Sequence, residues 1–443
     1  MRLCVLGVGP YPTEPGAVVT SPAIRTRLFV EALLASKYEV SVVLLEDAVR
    51  TNVPIPGVAR AVAVTPEEIL DPAKLATLID VSFLRAAFGV GSLMPATAAT
   101  RLARHCECAA WVDLNGDPIA ELHAMQLRQG GTLDRVARDH VWKLTREALL
   151  QGDMFSAVSG PQRFLVLGQL GILGRYGADW DVSRRVIDLP VGVPPSWTEE
   201  TEQPPFPEVL REFGLEPQTP YLFFAGSWNV WIDEAAMGRA LARVMDEEPR
   251  LRLVLCGIPT GPAGEAVHHA ILRAVEAHRE RVIDLPASAI PGEHQLAAYA
   301  ASALKMDRSI PESETGTRNR LLPMVRWGTH PVTTMLAELE TELVAHGLAS
   351  GVAVGDWERA AKELLIAIHR PREQHADARR RGRQWLETVT FQTLGQPMRD
   401  WLASGAPRWL PPACDGLLDR WANLPPDPEI LFPQAPRKKG WFF

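Results

Sequence analysis

Short apolar runs alternate with stretches of helical spacing along almost the whole chain, and the alternation restarts once after a break. That rhythm limits the fold more than any other feature. Strands buried on both faces read as continuous apolar runs, and the helices between them supply the crossovers that parallel pairing needs. Runs at 2–9, 39–45, 60–64, 79–83, 109–114 and 155–159 read as strands. Helical stretches follow Ser21-Pro22 and cover 118–128, 133–150 and 162–173. Ser21 reads as the cap of its helix, with Pro22 in the first position, where no amide hydrogen is needed. These residues predict one doubly wound parallel-sheet domain over 1–189.

Residues 190–219 are rich in Pro and Glu and read as a linker. After it come strands at 221–225, 251–256, 282–285 and 303–307, with helices at 234–245, 265–279 and 295–301 between them. Segments 317–327, 331–333, 336–345, 352–354 and 357–369 keep the alternation, so a second α/β domain is expected over 220–370. Residues 371–404 read as one long helical segment with Pro371 at its start. The tail, 405–443, is rich in Pro and Trp and ends in Arg437-Lys438-Lys439-Gly440-Trp441-Phe442-Phe443.

A chain of 443 residues has room for two such cores, and 22% charged residues against 47% hydrophobic ones is globular, not disordered, composition. The net charge of -7 gives no general attraction to nucleic acid. No apolar run is long enough to span a bilayer and no signal peptide is evident, so a cytoplasmic location is expected. Cys4, Cys106, Cys108, Cys256 and Cys414 form no Cys-x-x-Cys pair; Cys4 and Cys256 sit in apolar strands and read as buried thiols. The histidines, among them His123, His140, His268, His269, His294 and His330, lack metal-ligand spacing, and His330 reads as structural. Neither a metal nor a bound cofactor is expected.

Two open sheets place the carboxyl ends of their strands beside an interdomain cleft, where ligands of such folds bind. Gly7-Val8-Gly9-Pro10-Tyr11-Pro12 begins like a dinucleotide fingerprint, but Pro12 stands where the third glycine belongs, which excludes a nicotinamide site. The loop 9–20 is long enough to fold over a ligand. In Gly226-Ser227-Trp228-Asn229-Val230-Trp231, small residues after a strand let a backbone approach phosphate, and Trp228 and Trp231 offer faces for a base or sugar. After Lys305 the chain carries Glu312 and Glu314, then Gly316-Thr317, which reads as a helix start, then Arg318 and Arg320. Carboxylates accept sugar hydroxyls, amides at a helix start bind phosphate, and arginines neutralise a departing diphosphate. Asp113 and Asp117, after an apolar strand, are placed to meet an acceptor hydroxyl.

Taken in order, these segments resemble the GT-B glycosyltransferases, and most of all the family-four-type (group 1) enzymes that use nucleotide-diphosphate sugars. The resemblance rests on Ser21-Pro22-Ala23-Ile24-Arg25, on 112–118, 156–163 and 190–194, on the 226–233 and 312–320 segments and on Trp327-Gly328-Thr329-His330-Pro331-Val332. It implies two Rossmann-like domains facing a cleft, with 371–404 crossing back to the first. It also implies that Glu312 or Glu314, Gly316, Thr317, Arg318 and Arg320 hold the donor, with Gly226, Ser227 and Lys305 nearby and the acceptor on the first domain.

Retaining transfer without metal, to a glycan, lipid-linked or small-molecule acceptor, is the expected activity. The chain departs from the family pattern at Leu322 and Pro323, where an acid usually holds the ribose, and it lacks the usual Lys near Trp231 and Asp233. Those departures fit a second expectation, an inactive GT-B-like protein that binds a nucleotide or a partner. The basic, aromatic tail suggests at most weak peripheral contact with a membrane.

Overall fold

The computed structural model describes residues 1–13, 20–128, 135–175, 184–285 and 293–409. Seven strands, β1 (Arg2–Val8), β2 (Glu39–Leu45), β3 (Arg60–Val64), β4 (Leu84–Gly89), β5 (Ala109–Leu114), β6 (Met154–Ala157) and β7 (Val186–Asp188), form a parallel sheet in the order β3-β2-β1-β4-β5-β6-β7. Six more, β8 (Tyr221–Trp228), β9 (Arg252–Pro259), β10 (Val282–Leu285), β11 (Ser302–Lys305), β12 (His330–Thr334) and β13 (Ser350–Val352), form a second in the order β10-β9-β8-β11-β12-β13. Every pair in both sheets is parallel, as continuous apolar strands require.

Strand order reverses between β1 and β4 in one sheet and between β8 and β11 in the other. At such a switch point the connections leave in opposite directions and open a crevice at the strands' carboxyl ends. The molecule therefore has two crevices, and its construction turns them toward one another. Ser159 Oγ of the first domain donates to the Thr315 carbonyl of the second at 2.6 Å, and Gly160 N donates to Glu338 Oε2 at 2.8 Å.

Several elements differ from the sequence expectation. The fourth strand is 84–89, not 79–83: helix Pro72–Leu78 runs up to Ile79, and Phe83 is 94% exposed with φ +60°. Its small residues Ala86, Ala87 and Gly89 have weak strand preference, which hides a core strand. Residues 371–404 form not one helix but three, Arg372–Thr388, Phe391–Leu394 and Gln396–Ala403, because Thr390 caps a new start and Gly395 follows.

Phe391, Met398, Trp401 and Leu402 join the core of the first sheet, where Trp401 meets Trp111 at 5.3 Å. Phe206, Leu210 and Leu215 pack with the second sheet, so the latter part of the Pro-rich stretch belongs to that domain's core. Trp409 packs edge-on against Phe155 and under Arg175; Leu410 to Phe443, with Cys414 and the basic aromatic end, lie outside the described residues. Cys4 and Cys256 are buried. Among the described residues no helix is long and apolar enough to cross a membrane.

Candidate functional site

The two switch points open onto one cavity of about 540 Å³. The first domain contributes Val8 from β1, Gly91 and Ser92 after β4, and Asn115, Gly116 and Glu121 after β5. The second contributes Gly226 and Ser227 near the end of β8, Lys305 at the end of β11, and Glu312 with the run from Gly316 to Leu321. Trp231 also lines it. Gly226 has φ +128°, a conformation that L side chains rarely adopt, and a Cβ there would sit 3.3 Å from Cγ of Arg320. The missing side chain lets the Arg320 stem cross β8 at the cavity wall.

Glu312 and Arg318 meet in a buried cluster. Arg318 ion-pairs with Asp307, lies 3.4 Å from Glu312 Oε2 and 3.9 Å from Glu340 Oε1, and Lys305 Nζ reaches Asp307 Oδ1 at 3.2 Å. Burial works against the Arg318 charge, but Glu312, Asp307 and Glu340 outweigh it and hold the guanidinium firmly protonated. Burial likewise pushes the Asp307 carboxyl upward, yet Lys305 and Arg318 bring it below its ordinary value. Glu312 is raised by burial, which Arg318 only partly offsets, and Glu340 is raised to about 7 by the same balance. Lys305 is lowered by burial against the pull of Asp307.

The residues singled out from the sequence fall into two groups. Gly226, Ser227, Trp231, Lys305, Glu312, Gly316, Thr317, Arg318 and Arg320 come together on one wall. Within that wall, Arg318 has its charge matched by three carboxylates and holds Glu312 in place, Lys305 is paired with Asp307, and Arg320 lines the cavity beside Gly226. Gly316 and Thr317 do not open a helix. Pro311 starts a short helix, Pro311–Thr315, which Gly316 ends, and the next helix begins at Leu321. Proline at a first helical position was the signal for this earlier start.

Four other expectations are corrected. Trp228 is the last residue of β8, paired beside Pro259, fully buried, and stacked on Phe224 at 4.0 Å and His268 at 4.8 Å; it has no face left for a ligand. Glu314 is exposed and accepts from Ser309, away from the cavity lining. Asp113 is fully buried: Arg25 donates to its two oxygens at 3.1 and 2.8 Å, and Ser156 Oγ donates at 2.6 Å. Asp117 caps helix Pro118–Arg128 through the amides of Ile119 and Ala120 and accepts from Gln169. Neither aspartate is placed to meet an acceptor.

Ser21 is not the helix cap either; Thr20 accepts from Ala23 N instead. Ser21 Oγ accepts from Asn115 Nδ2 of its own domain at 3.1 Å and from Asn319 Nδ2 of the other at 2.7 Å. Both asparagines line the cavity, and among the described residues the buried amide oxygen of each has no hydrogen-bond partner. Unsatisfied buried acceptors are costly, so they mark places where a hydroxyl donor is welcome.

Glu121 was missed as well. It is open to the cleft but surrounded by protein on its other sides; that desolvation, then Glu312 and Asp117, raises its carboxyl to about 7. No sequence signal distinguished it from any helical glutamate. His330 is pushed to about 3, chiefly by burial, and shares a hydrogen bond with Ser350, a structural role. Among the described residues no group of three or more His, Cys, Asp or Glu side chains is placed to hold a metal ion.

No protein-family model matches the chain, and no curated protein matches it in sequence. Solved structures do match. HepE of Anabaena, in complex with UDP and glucose, has a TM-score of 0.61 at 15% identity, over 91% of this chain and 100% of that one. An alpha,alpha-trehalose-phosphate synthase (UDP-forming) from Burkholderia vietnamiensis gives 0.60 at 12% identity, over 91% and 99%. Sucrose-phosphate synthase from Thermosynechococcus elongatus gives 0.59 at 12%, over 91% and 99%. Two parallel-sheet domains, a shared cavity at their switch points and these superpositions give the chain the GT-B fold of nucleotide-sugar glycosyltransferases.

Proposed function

We propose that the chain is a glycosyltransferase that moves a sugar from a nucleotide-diphosphate donor, held by the second domain, to an acceptor held by the first. The observation that carries this reading is the meeting of both switch points on one cavity, with cations on one wall and unpartnered hydroxyl acceptors between the domains. Arg320 and Lys305 face the diphosphate, and the charge that develops on it as the glycosidic bond breaks is met by groups already in place. Glu312, fixed by Arg318, accepts donor sugar hydroxyls, while Asn319 and Asn115 accept hydroxyls where donor and acceptor meet. Trp231 offers its ring to the base or sugar. With both substrates held in register, the transfer needs little beyond orientation and a stabilised leaving group. Retention is the first stereochemical reading, since the acceptor hydroxyl and the leaving diphosphate then share one face.

One observation favours a second reading. Glu121, on the first-domain wall with a carboxyl near 7, suits a base that takes the acceptor proton in an inverting transfer. Proton NMR of the product's anomeric centre decides between the two.

The donor test comes first. Because HepE was solved with UDP and glucose, UDP and UDP-glucose head a panel with GDP- and dTDP-sugars, read by calorimetry and thermal shift. Saturable binding by at least one nucleotide, followed by slow donor hydrolysis, is the expected result. Binding without turnover would favour the inactive scaffold, and no binding across the panel at millimolar concentration sinks the proposal.

A further inference from the structure

Helix Arg372–Thr388 carries a cationic feature that the cleft does not use. His375, Arg379 and Arg383 recur every four residues and so share one stripe of the helix. The helix Leu321–Trp327 and the turn after it lie against this stripe at very short range. A Cβ at Gly328, whose φ is +77°, would come within 2.6 Å of the His375 carbonyl and 2.7 Å of Arg379 N; one at Gly382 would meet the Val325 carbonyl. Backbone-to-backbone packing of this kind fixes where the arginines stand.

They stand in a second cavity, of about 990 Å³, that shares no lining residue with the interdomain one. His375, Arg379, Arg380, Arg383, Trp327 and Tyr299 line it. The guanidinium groups of Arg379 and Arg326 lie over the Trp327 ring, 4.7 and 5.1 Å from its centre. Arg380 is paired with Asp377, and Arg383 with Glu200 at 3.3 Å, an ion pair in which the Glu200 side chain is 88% exposed. Arg379 donates to the Thr201 carbonyl. Among the described residues the buried Trp327 indole N–H has no hydrogen-bond partner.

Burial, followed by the like charge of a neighbouring arginine, lowers the pKa of Arg326, Arg370 and Arg379, and burial with Arg370 lowers that of His375. Cations are thus crowded here, in a chain whose net charge is -7. Crowding like charges costs free energy that a bound anion returns. The planar guanidinium fork matches phosphate oxygens two at a time. A concave cluster open on one side takes a compact anion, whereas an acidic chain disfavours an extended polyanion.

We propose that this cavity is an anion site for a phosphate-bearing ligand, gripped by Arg379 and Arg383 above Trp327. The chemistry is that of a phosphate ester, whether free in solution or on a lipid headgroup. It does not depend on the reading of the interdomain cleft.

Arginine modification by phenylglyoxal, mapped by mass spectrometry on the unaltered chain, tests it without risk to folding. Pyrophosphate at millimolar concentration is expected to slow modification of Arg379 and Arg383 at least about fivefold, whatever happens at Arg320. Protection of Arg320 alone, or of no arginine, overturns the proposal. In calorimetry on an R320Q background, which weakens the cleft, adding R379Q/R383Q should weaken the remaining pyrophosphate binding at least about tenfold; undiminished binding also overturns it. Sedimentation with phosphatidylglycerol vesicles, against phosphatidylcholine alone, assigns the source. Arginine-dependent sedimentation marks a headgroup site, and pyrophosphate protection without it marks a site for a free phosphate compound.

Discussion

The first domain sets Arg25 against Asp113, and the second sets Arg318 against Asp307, Glu312 and Glu340. Both are buried arginine–carboxylate groups near the carboxyl ends of core strands, and as residue types they are alike. Their surroundings are not. Arg25 and Asp113 are fully buried, and the arginine's remaining donors reach the Leu189 and Pro190 carbonyls at 2.7 and 2.9 Å while Ser156 completes the aspartate. Arg318 is divided among three acids, one Glu340 oxygen has no partner, and Glu312 and Glu340 are raised from their ordinary values. A closed, satisfied pair holds a fold together. An over-subscribed cation beside a cavity leaves acids whose protonation and contacts a ligand can change.

That contrast breaks most visibly at Asp113. Asp113→Ala leaves a buried guanidinium uncompensated and should cost about 3–5 kcal/mol, read as a lowered urea midpoint. A loss below about 1 kcal/mol would mean the pair is not structural. Arg320→Gln should do the reverse, weakening nucleotide-diphosphate binding at least about tenfold, or 1.4 kcal/mol, with an unchanged urea midpoint. Asn319→Ala, which removes the link to Ser21 and one hydroxyl acceptor, should cost about 1 kcal/mol of donor affinity. If it instead lowers stability as much as Asp113→Ala does, the interdomain bridge belongs with the closed pair.

Most of the fold was legible because apolar runs and helix signals agree locally with the final topology, as at 39–45, 60–64 and 118–128, where strands and helix fall on the expected residues. The fourth strand escaped because alanines carry no strand signature, although its neighbours left a gap of the right length. Much of the cavity's second-domain wall was legible too, since glycines, acids and arginines after Lys305 have few structural reasons to cluster. What sequence could not show is which side of an element a residue takes and what it meets there. Asp113 lies near the end of an apolar strand and Glu312 in the segment after one; only packing separates a sealed pair from a cavity wall. Trp228 went wrong because the strand expected to end at Ala225 runs three residues further, to Trp228. Glu121 stayed hidden because its raised carboxyl comes first from burial and then from Glu312, 191 residues away in the opposite domain, neither of which the local sequence shows.

Glu121 gives the finest test, because it depends on pH and not on the loss of a contact. Its folded value, about 7, lies above its ordinary value, so on raising the pH the unfolded chain releases this proton first. The group's contribution to stability is therefore full below the unfolded value and is lost as pH rises through about 7. On the proposed function, an ionised carboxylate in the same cavity would also repel the diphosphate of a donor. Nucleotide-diphosphate affinity should accordingly fall between pH 6 and pH 8 in the unaltered chain, by about threefold. Glu121→Gln should flatten that fall, binding at pH 8 as the unaltered chain does at pH 6, and should unfold at higher urea than the unaltered chain at pH 8 but not at pH 4. A pH dependence that survives the substitution would move the titrating group to Glu312 or Glu340, and so to the second domain's wall.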